Sequence, residues 1–120
     1  MRFQLVPMTS DFAQRILTWK YPPPYDLYNY ENEADHILDT EEWGTTLFAV
    51  LDESGELVGE LSFGFLDSAD EWVPLEDVRA GRLEGCILWV GFGLQPGLTG
   101  QGLGLSFVNA CVDFAVECSR

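Results

Sequence analysis

Glycines at every second position form the pattern in this sequence that points most directly to chemistry. Gly100, Gly102 and Gly104 follow an apolar run over Ile87–Leu94 and lead into an apolar stretch with helical spacing. Glycines let successive backbone N–H groups turn toward one point, and the N-terminus of a helix carries a partial positive charge. A strand, this loop and a helix together predict a site for a phosphate or pyrophosphate group.

Other interpretations of the loop are open. A tight strand–helix connection alone would explain the glycines, because glycine-rich motifs often match by chance. A Walker loop needs Lys and then Ser or Thr after its last glycine, whereas Leu105 follows Gly104. A dinucleotide-binding loop has the spacing G-x-G-x-x-G, whereas this loop has G-x-G-x-G. A different strand–loop–helix domain that binds a nucleotide or another phosphate is therefore an alternative.

The arrangement resembles the acyl-CoA-binding motif of the GNAT acetyltransferase superfamily, a strand ending in V-x-P followed by R/Q-x-x-G-x-G/A at the start of a helix. Leu94-Gln95-Pro96 matches the first part, and the second part is matched by Thr99, Gly100, Gln101, Gly102, Leu103 and Gly104. Thr99 departs from the Arg or Gln of the family, although its hydroxyl can donate to phosphate. The close match lies within Cys86–Val116, and elsewhere only the order of the elements agrees.

The resemblance implies an N-acetyltransferase that uses acetyl-CoA as cosubstrate. The loop N–H groups would bind the pyrophosphate, and the backbone of Phe92, Gly93 and Leu94 would pair with the pantetheine arm like an added strand. A backbone N–H near a bulge at Gly91 and Gly93 would polarise the thioester carbonyl. Alternatively, the chain is a non-catalytic or regulatory fragment that only binds CoA.

The part of the site that would bind the amine acceptor is predicted from two glutamates and an aromatic segment. An amine is protonated at neutral pH, so a base must remove its proton, and the strand carboxylates Glu60 and Glu84 are the candidates. The segment after the first predicted helix lines the acceptor pocket in many GNAT proteins. The resemblance therefore implies that four tyrosines border the amine site: Tyr21, Tyr25, Tyr28 and Tyr30. The competing interpretations are that the carboxylates are simply exposed and that the rings only cover the core.

The balance of charged residues limits the classes of partner that this protein is expected to bind. Six Lys and Arg against 20 Asp and Glu give a formal net charge of −14, which argues against nucleic acid and anionic membranes. The same field favours a cationic acceptor, a small-molecule or peptide amine, unless the acidity serves solubility alone. The single histidine, His36, and the absence of cysteine pairs with ligand spacing predict no metal site.

Cysteine use and hydropathy predict a cytoplasmic protein. The three cysteines are an odd number, and two of them, Cys86 and Cys111, fall in the apolar strand and helix. They are typical of buried thiols in a reducing compartment rather than of a disulfide framework. We identify no signal peptide and no apolar run long enough to span a membrane.

The order of apolar and turn segments along the chain predicts one α/β (α+β) domain over residues 1–120, with a mixed, mostly antiparallel sheet flanked by helices. The predicted order is a strand (Phe3–Val6), a helix (Asp11–Trp19), an acidic helix (Glu31–Trp43), two hairpin strands (Thr45–Leu51 and Leu57–Leu66) and a polar insertion with a short helix (Leu75–Arg79). The run over Ile87–Leu94 predicts a strand buried on both faces in the middle of the sheet. The apolar residues after the loop predict a helix that packs deeply against the sheet. Its one solvent-exposed edge is expected at Asn109, Asp113 and Glu117.

A complete GNAT fold continues beyond the glycine-loop helix with further strands and another helix. The resemblance therefore implies that the C-terminal third of such a domain, with its strands, is absent here. A sheet that ends at the glycine-loop strand would expose a long apolar edge. We therefore expect this edge to pair with a second copy, as a homo-oligomer, or with another polypeptide segment.

Overall fold

In the computed structural model the chain folds into an antiparallel sheet of five strands with helices on both faces, an α+β architecture. The structure describes residues 2–23, 29–30, 34–82, 85–98 and 102–119. The strands are β1 (Phe3–Pro7), β2 (Leu47–Asp52), β3 (Leu57–Leu66), β4 (Trp72–Val73) and β5 (Ile87–Leu94). The helices are α1 (Ser10–Leu17), α2 (Ala34–Ile37), α3 (Leu75–Asp77) and α4 (Gly104–Cys118). Within these ranges, no helix combines the length and the apolar character needed to cross a membrane.

β3 is the central strand of the sheet. β2 pairs with one of its edges, and β1 pairs with the far side of β2. β5 pairs with the other edge over the whole span from Gly59 to Leu66. The two-residue strand β4 continues the line of β2, because its partners Phe65 and Leu66 are already paired with β5 on the opposite edge. The sequence did not predict β4, since two residues carry no periodicity.

The two faces of β3 have different roles, as its alternating sequence predicts. Leu61, Phe63 and Phe65 point to one face, where they pack with Phe107 and Cys111 of α4. Glu60, Ser62 and Gly64 therefore point to the opposite face. The predicted alternation fails at the start of the strand, where Val58 is an extra residue opposite a register shift between Val50 and Leu51. This β-bulge turns Val58 into the α4-side core.

The second core lies on the opposite face, beneath α1 and α2. Ala13 and Ile16 of α1 and Ile37 of α2 are fully buried there against Leu47 and Ala49 of β2. α1 begins at Ser10, one residue before the predicted start, and ends at Leu17, two residues before the predicted end. Its N-cap is Thr9, whose hydroxyl accepts a hydrogen bond from the Phe12 N–H at 3.2 Å. These helices anchor the segment that leads toward the cleft described below.

The predicted acidic helix is shorter than expected. Its described part ends at Ile37, and turns occupy the chain from there to β2. The Asp39 carboxylate accepts a hydrogen bond from the Glu41 N–H at 3.1 Å, a local bond that competes with helix continuation. The hairpin between β2 and β3 is confirmed, with Gly55 at φ +87° as its turn requires.

β5 differs from the prediction in its burial. It pairs only with β3 among the described residues, so it is an edge strand rather than a central one. Its burial is partial, and Ile87 is 61% exposed. α4 buries Phe107, Cys111 and Ala115 and packs Phe114 and Cys118 against the same core, while Leu105 on its outer side is 75% exposed. The predicted solvent-exposed edge of α4 is confirmed, since Asn109, Asp113 and Glu117 are all exposed.

Candidate functional site

A cleft of about 1120 Å³ opens on the sheet face that carries Glu60. β3 and β5 form its floor, the segment after α1 and the helix α2 form one side, and β4 with the start of α3 forms the other. The cleft exists because α1 and α2 cover the β2 part of this face, while small residues of β3 and β5 leave the rest open. Four of its large side chains are aromatic, those of Tyr21, Tyr30, Trp72 and Trp89. Phe63 and Phe92 line the floor from strand positions whose rings pack on the α4 side of the sheet.

Glu60 lies on the floor of the cleft and is only 5% exposed. The hydroxyl of Tyr30, itself 5% exposed, donates a hydrogen bond of 2.8 Å to Glu60 Oε1. A hydrogen bond to an ionised carboxylate is stronger than one between neutral groups, so this bond fixes the orientation of the carboxyl. The structure thus brings together two residues that the sequence analysis proposed for different roles.

Three strand glycines make room for three aromatic rings on this floor. A Cβ atom at Gly93 would overlap the Tyr30 hydroxyl, and one at Gly91 would lie 2.7 Å from the Trp89 ring. A Cβ atom at Gly64 would lie 2.6 Å from the Trp72 ring. Rings that lie over strand glycines compensate for the packing that a glycine lacks. These glycines therefore shape the cleft by admitting aromatic side chains.

The predicted bulge at Gly91 and Gly93 is wrong. β5 pairs with β3 in one unbroken register, in which Gly93 lies opposite Glu60 and Gly91 lies opposite Ser62. The sequence signal was genuine, because glycines in a strand often mark a close approach of another group. Here the groups that approach are the rings of Tyr30 and Trp89, and the ladder does not need to break.

Tyr21 joins the segment after α1 to the end of β5. Its hydroxyl donates to the Leu94 carbonyl oxygen at 2.8 Å, and its N–H donates to Asn29 Oδ1 at 2.7 Å. Burial raises the pKa of the Tyr21 phenol; a hydrogen bond involving Tyr30 lowers the pKa, and the Glu60 carboxylate raises it further. Tyr21, Tyr30 and Glu60 are therefore electrostatically coupled within one wall of the cleft.

The titratable groups of the cleft are almost entirely acidic. Glu60 lies on the floor, and Asp35 and Glu42 lie on the side that α2 forms. His36 is the remaining titratable side chain besides the tyrosines, and its Nδ1 lies 3.1 Å from Glu42 Oε2. The described lining contains no lysine or arginine. The cleft therefore presents carboxylates and ring faces to whatever enters it.

The described residues of the glycine loop, Gly102, Leu103 and Gly104, do not line this cleft. Gly102 has φ +76°, a left-handed conformation that favours glycine, and α4 begins at Gly104. Leu103 occupies the N-cap position and provides no side-chain hydrogen bond to the first turn. Of the predicted cofactor residues, Phe92 and Gly93 line the cleft, whereas Leu94, Gly102, Leu103 and Gly104 do not.

Several predicted site residues cannot be placed relative to the cleft. Glu84, Tyr25 and Tyr28 lie outside the described residues, and so do the loop positions Thr99, Gly100 and Gln101. Of the residues predicted to border the amine acceptor, the structure brings Tyr21, Tyr30 and Glu60 to one place.

Sequence reasoning missed Trp72 and Trp89 as cleft residues, whereas the acidic run that includes Asp35 and Glu42 was considered both as a solvated face and as a surface that attracts a cationic acceptor. Trp72 lies in a polar insertion, and Trp89 appeared only as part of an apolar run. The available signal was that glycines on the strands lie beneath tryptophan rings. This signal can be recognised only when the register between the strands is known. Asp35 and Glu42 belong to a run of acidic residues that is usually a solvated face.

In the described part of the chain, no group of three or more His, Cys, Asp or Glu side chains is arranged to hold a metal ion. None of the three cysteines forms a disulfide. Comparisons of the chain with protein-family models, with curated proteins and with solved structures found no match.

Proposed function

We propose that this chain binds acetyl-CoA and transfers the acetyl group to an amine, as the resemblance to the GNAT superfamily implies. The observation that carries the proposal is the position of Glu60, a buried carboxyl in an aromatic cleft that also includes Phe92 and Gly93 of the edge strand. The base predicted for the acceptor and the backbone predicted for the donor thus border the same space.

The directions of the N–H and C=O groups on β5 support the proposed binding of the pantetheine arm of acetyl-CoA along this strand. The Gln95 N–H donates to the Val58 carbonyl oxygen at 2.7 Å, toward β3. Because bonding directions alternate along a strand, the N–H and C=O groups of Phe92 and Leu94 point away from β3. Tyr21 donates to the Leu94 carbonyl, so Phe92 offers the backbone groups that best suit an added strand such as a pantetheine arm.

The start of α4 supports a pyrophosphate site. The helix has 15 residues, and its first-turn N–H groups receive no side-chain cap from Leu103. Gly102 turns the preceding backbone into a left-handed conformation, which suits a loop that gathers N–H groups around an anion. These residues fit the phosphate end of an acyl-CoA, and the neighbouring edge of β5 fits the arm that leads into the cleft.

Glu60 is assigned the role of general base. When bound, acetyl-CoA supplies an acetyl thioester, whose carbon–sulfur bond is exchanged for a carbon–nitrogen bond with a thiol as leaving group. Glu60 accepts one proton from the protonated amine, and the second amine proton leaves with the thiol. Tyr30 holds the carboxylate in place, and the buried floor keeps water away from it. Positioning of both partners in one cleft provides much of the acceleration.

The test is an assay of thiol release with acetyl-CoA and a panel of amines, together with calorimetric titration of acetyl-CoA. We expect Glu60→Gln to lower kcat by about 10²–10⁴-fold, the usual contribution of a general base, and to leave acetyl-CoA binding intact. Asp113→Asn is the matched control, because it removes one carboxylate from the exposed face of α4. A kcat of the Glu60→Gln variant equal to that of the original protein would show that Glu60 is not the general base.

The loop is tested by Gly102→Glu, which places a negative charge in the predicted pyrophosphate site and should abolish acetyl-CoA binding. Gly55→Glu is its control: both glycines have a left-handed φ, and a Cβ atom at either has open space. Both variants therefore share the same strain and charge. Binding without turnover would favour a non-catalytic CoA-binding protein, and a preference for ATP would favour a nucleotide-binding domain. No binding of either ligand would overturn the proposal.

A further inference from the structure

Two tryptophans form an exposed aromatic corner on one side of the cleft. Trp72 of β4 and Trp89 of β5 meet edge to face, with ring centroids 5.9 Å apart and ring planes at 88°. We call this pair the tryptophan corner. Both residues line the cleft, and they remain 62% and 46% exposed. Neither belongs to the two buried cores of the protein, so core packing does not account for the pair.

Glycines of the cleft floor determine where both rings lie. A Cβ atom at Gly64 would lie 2.6 Å from Cζ3 of Trp72, and one at Gly91 would lie 2.7 Å from Cη2 of Trp89. These atoms belong to the six-membered ring of each indole, so this ring rests on the sheet in both cases. The contact restricts the orientation of both tryptophans, and the tryptophan corner therefore stands at a defined place above β3 and β5.

A largely buried hydroxyl lies at the foot of this corner. Ser62 of β3 pairs with Gly91 of β5 and is only 6% exposed. A Cβ atom at Gly91 would lie 3.1 Å from Ser62 Oγ, so the hydroxyl and the Trp89 ring border the same point. Within the residues that the structure describes, no group forms a hydrogen bond with this hydroxyl. Buried polar groups are normally hydrogen-bonded, and Ser62 lines the cleft, from which a partner can reach it.

We infer that the tryptophan corner and Ser62 form a binding subsite for a phenol, a flat aromatic ring that carries a hydroxyl group. The ring stacks on one indole and presents its edge to the other, the two arrangements that aromatic groups prefer. The phenol hydroxyl reaches Ser62, whose own hydroxyl can donate or accept a hydrogen bond. The inference concerns binding alone and does not depend on acetyl transfer.

The charge of the cleft selects among phenols. Its described lining includes the carboxylates of Asp35 and Glu42 and contains no lysine or arginine. The formal net charge of −14 also repels anions over a distance. A phenol that carries a carboxylate should therefore bind poorly, whereas a neutral phenol meets no such repulsion.

The test is titration of the isotope-labelled chain with phenol, followed by proton–nitrogen correlation NMR of the indole N–H groups. The sequence has four tryptophans, and each gives one indole signal. The signals of Trp72 and Trp89 are assigned by their loss in Trp72→Leu and Trp89→Leu. We expect phenol to shift these two signals and to leave those of Trp19 and Trp43 unchanged, because the latter two residues do not line the cleft.

Two comparison ligands separate the contributions of the ring and the charge. Cyclohexanol has a hydroxyl and a similar size but no aromatic ring. It should bind about tenfold more weakly than phenol, since two aromatic contacts together are worth on the order of a tenfold change in Kd. 4-Hydroxybenzoate, which adds a carboxylate to the phenol, should shift neither signal.

Variants assign the two parts of the subsite. Ser62→Ala should weaken phenol binding about two- to tenfold, the usual contribution of one hydrogen bond. Ser68→Ala is its control, because Ser68 is exposed and does not line the cleft. Trp89→Leu should remove most of the preference for phenol over cyclohexanol. Trp43→Phe is its control, because it changes an indole that lies outside the cleft lining. Circular dichroism establishes that each variant is folded.

Several results would overturn this inference. Equal affinity for phenol and cyclohexanol would show that the corner is only an apolar surface. A folded chain in which phenol shifts neither the Trp72 nor the Trp89 signal would have no such subsite. Unchanged phenol affinity in Ser62→Ala would contradict the contact with the hydroxyl. The titration contains no acetyl-CoA, so a failure of acetyl transfer would contradict the proposed function and leave this inference intact.

Discussion

The fit between Gly93 and Tyr30 gives the sharpest test of how the cleft is built. A Cβ atom at Gly93 would overlap the Tyr30 hydroxyl and lie 2.8 Å from the ring carbon that carries it. Both groups are confined, because the hydroxyl is hydrogen-bonded to Glu60 and Tyr30 is 5% exposed. Gly93→Ala should therefore force the ring to move and should destabilise the protein by about 1–3 kcal/mol, the usual cost of overpacking a core.

Removal of the hydroxyl should change that cost. Tyr30→Phe alone loses a hydrogen bond to a charged partner and should cost about 1.5–3 kcal/mol. In the Tyr30→Phe background, Gly93→Ala meets only the ring carbon. The double variant should then be more stable than the sum of the single effects predicts, by about 1 kcal/mol, since contacting residues couple.

The measurement is a double-mutant cycle from urea unfolding followed by circular dichroism. Gly104→Ala is the control, because a Cβ atom there has open space at the start of a helix, and it should stabilise the protein by about 0.5–1 kcal/mol. Additivity of the two substitutions within about 0.5 kcal/mol would refute the proposed contact. A Gly93→Ala variant as stable as the original protein would refute it as well.

Two further predictions concern alkaline pH. Burial raises the pKa of the Cys111 thiol to about 12, with a further contribution from the Glu60 carboxylate. The folded state therefore keeps this proton longer than the unfolded state, so the free energy of unfolding should fall between pH 9 and 12, by up to about 4 kcal/mol. Cys111→Ala should flatten this decline in urea unfolding at several pH values, and an equal decline in both proteins would contradict the assignment. The pKa of Tyr21 is also raised, chiefly by burial, so ultraviolet difference absorbance should detect one tyrosine that ionises later than an exposed phenol. Tyr21→Phe should remove that late step, whereas its persistence would assign the step to another residue.

Local features could be predicted from the sequence because their causes are local. Thr9 caps α1 through a bond to an N–H three residues away, and Gly55 provides the positive φ of a hairpin turn. The alternation of β3 correctly placed Glu60 and Leu61 on opposite faces, since side chains along a strand alternate. The strand Ile87–Leu94 and the helix Gly104–Cys118 were likewise recognised from spacing alone.

Predictions that depended on neighbours in space were less accurate. β5 is as apolar as a central strand, yet it lies at the edge of the described sheet, and no pattern within a strand reveals how many partners it has. Its glycines predicted a bulge, and the register is unbroken because rings fill the space above them. The bulge lies instead on β3 at Val58, directly before Gly59.

Periodicity and turn chemistry act over a few residues, so the amino-acid sequence was enough to predict the order of the described strands and α-helices except β4, and to place the carboxyl of Glu60 on the face of β3 opposite Leu61. Only the tertiary structure decided what surrounds that carboxyl. Tyr30, Asp35, Trp72 and Trp89 come from four separate segments and meet in one cleft because β3 pairs on both edges and α2 covers only part of its face. Their proximity depends on strand pairing and helix packing between distant residues, which local sequence patterns do not encode.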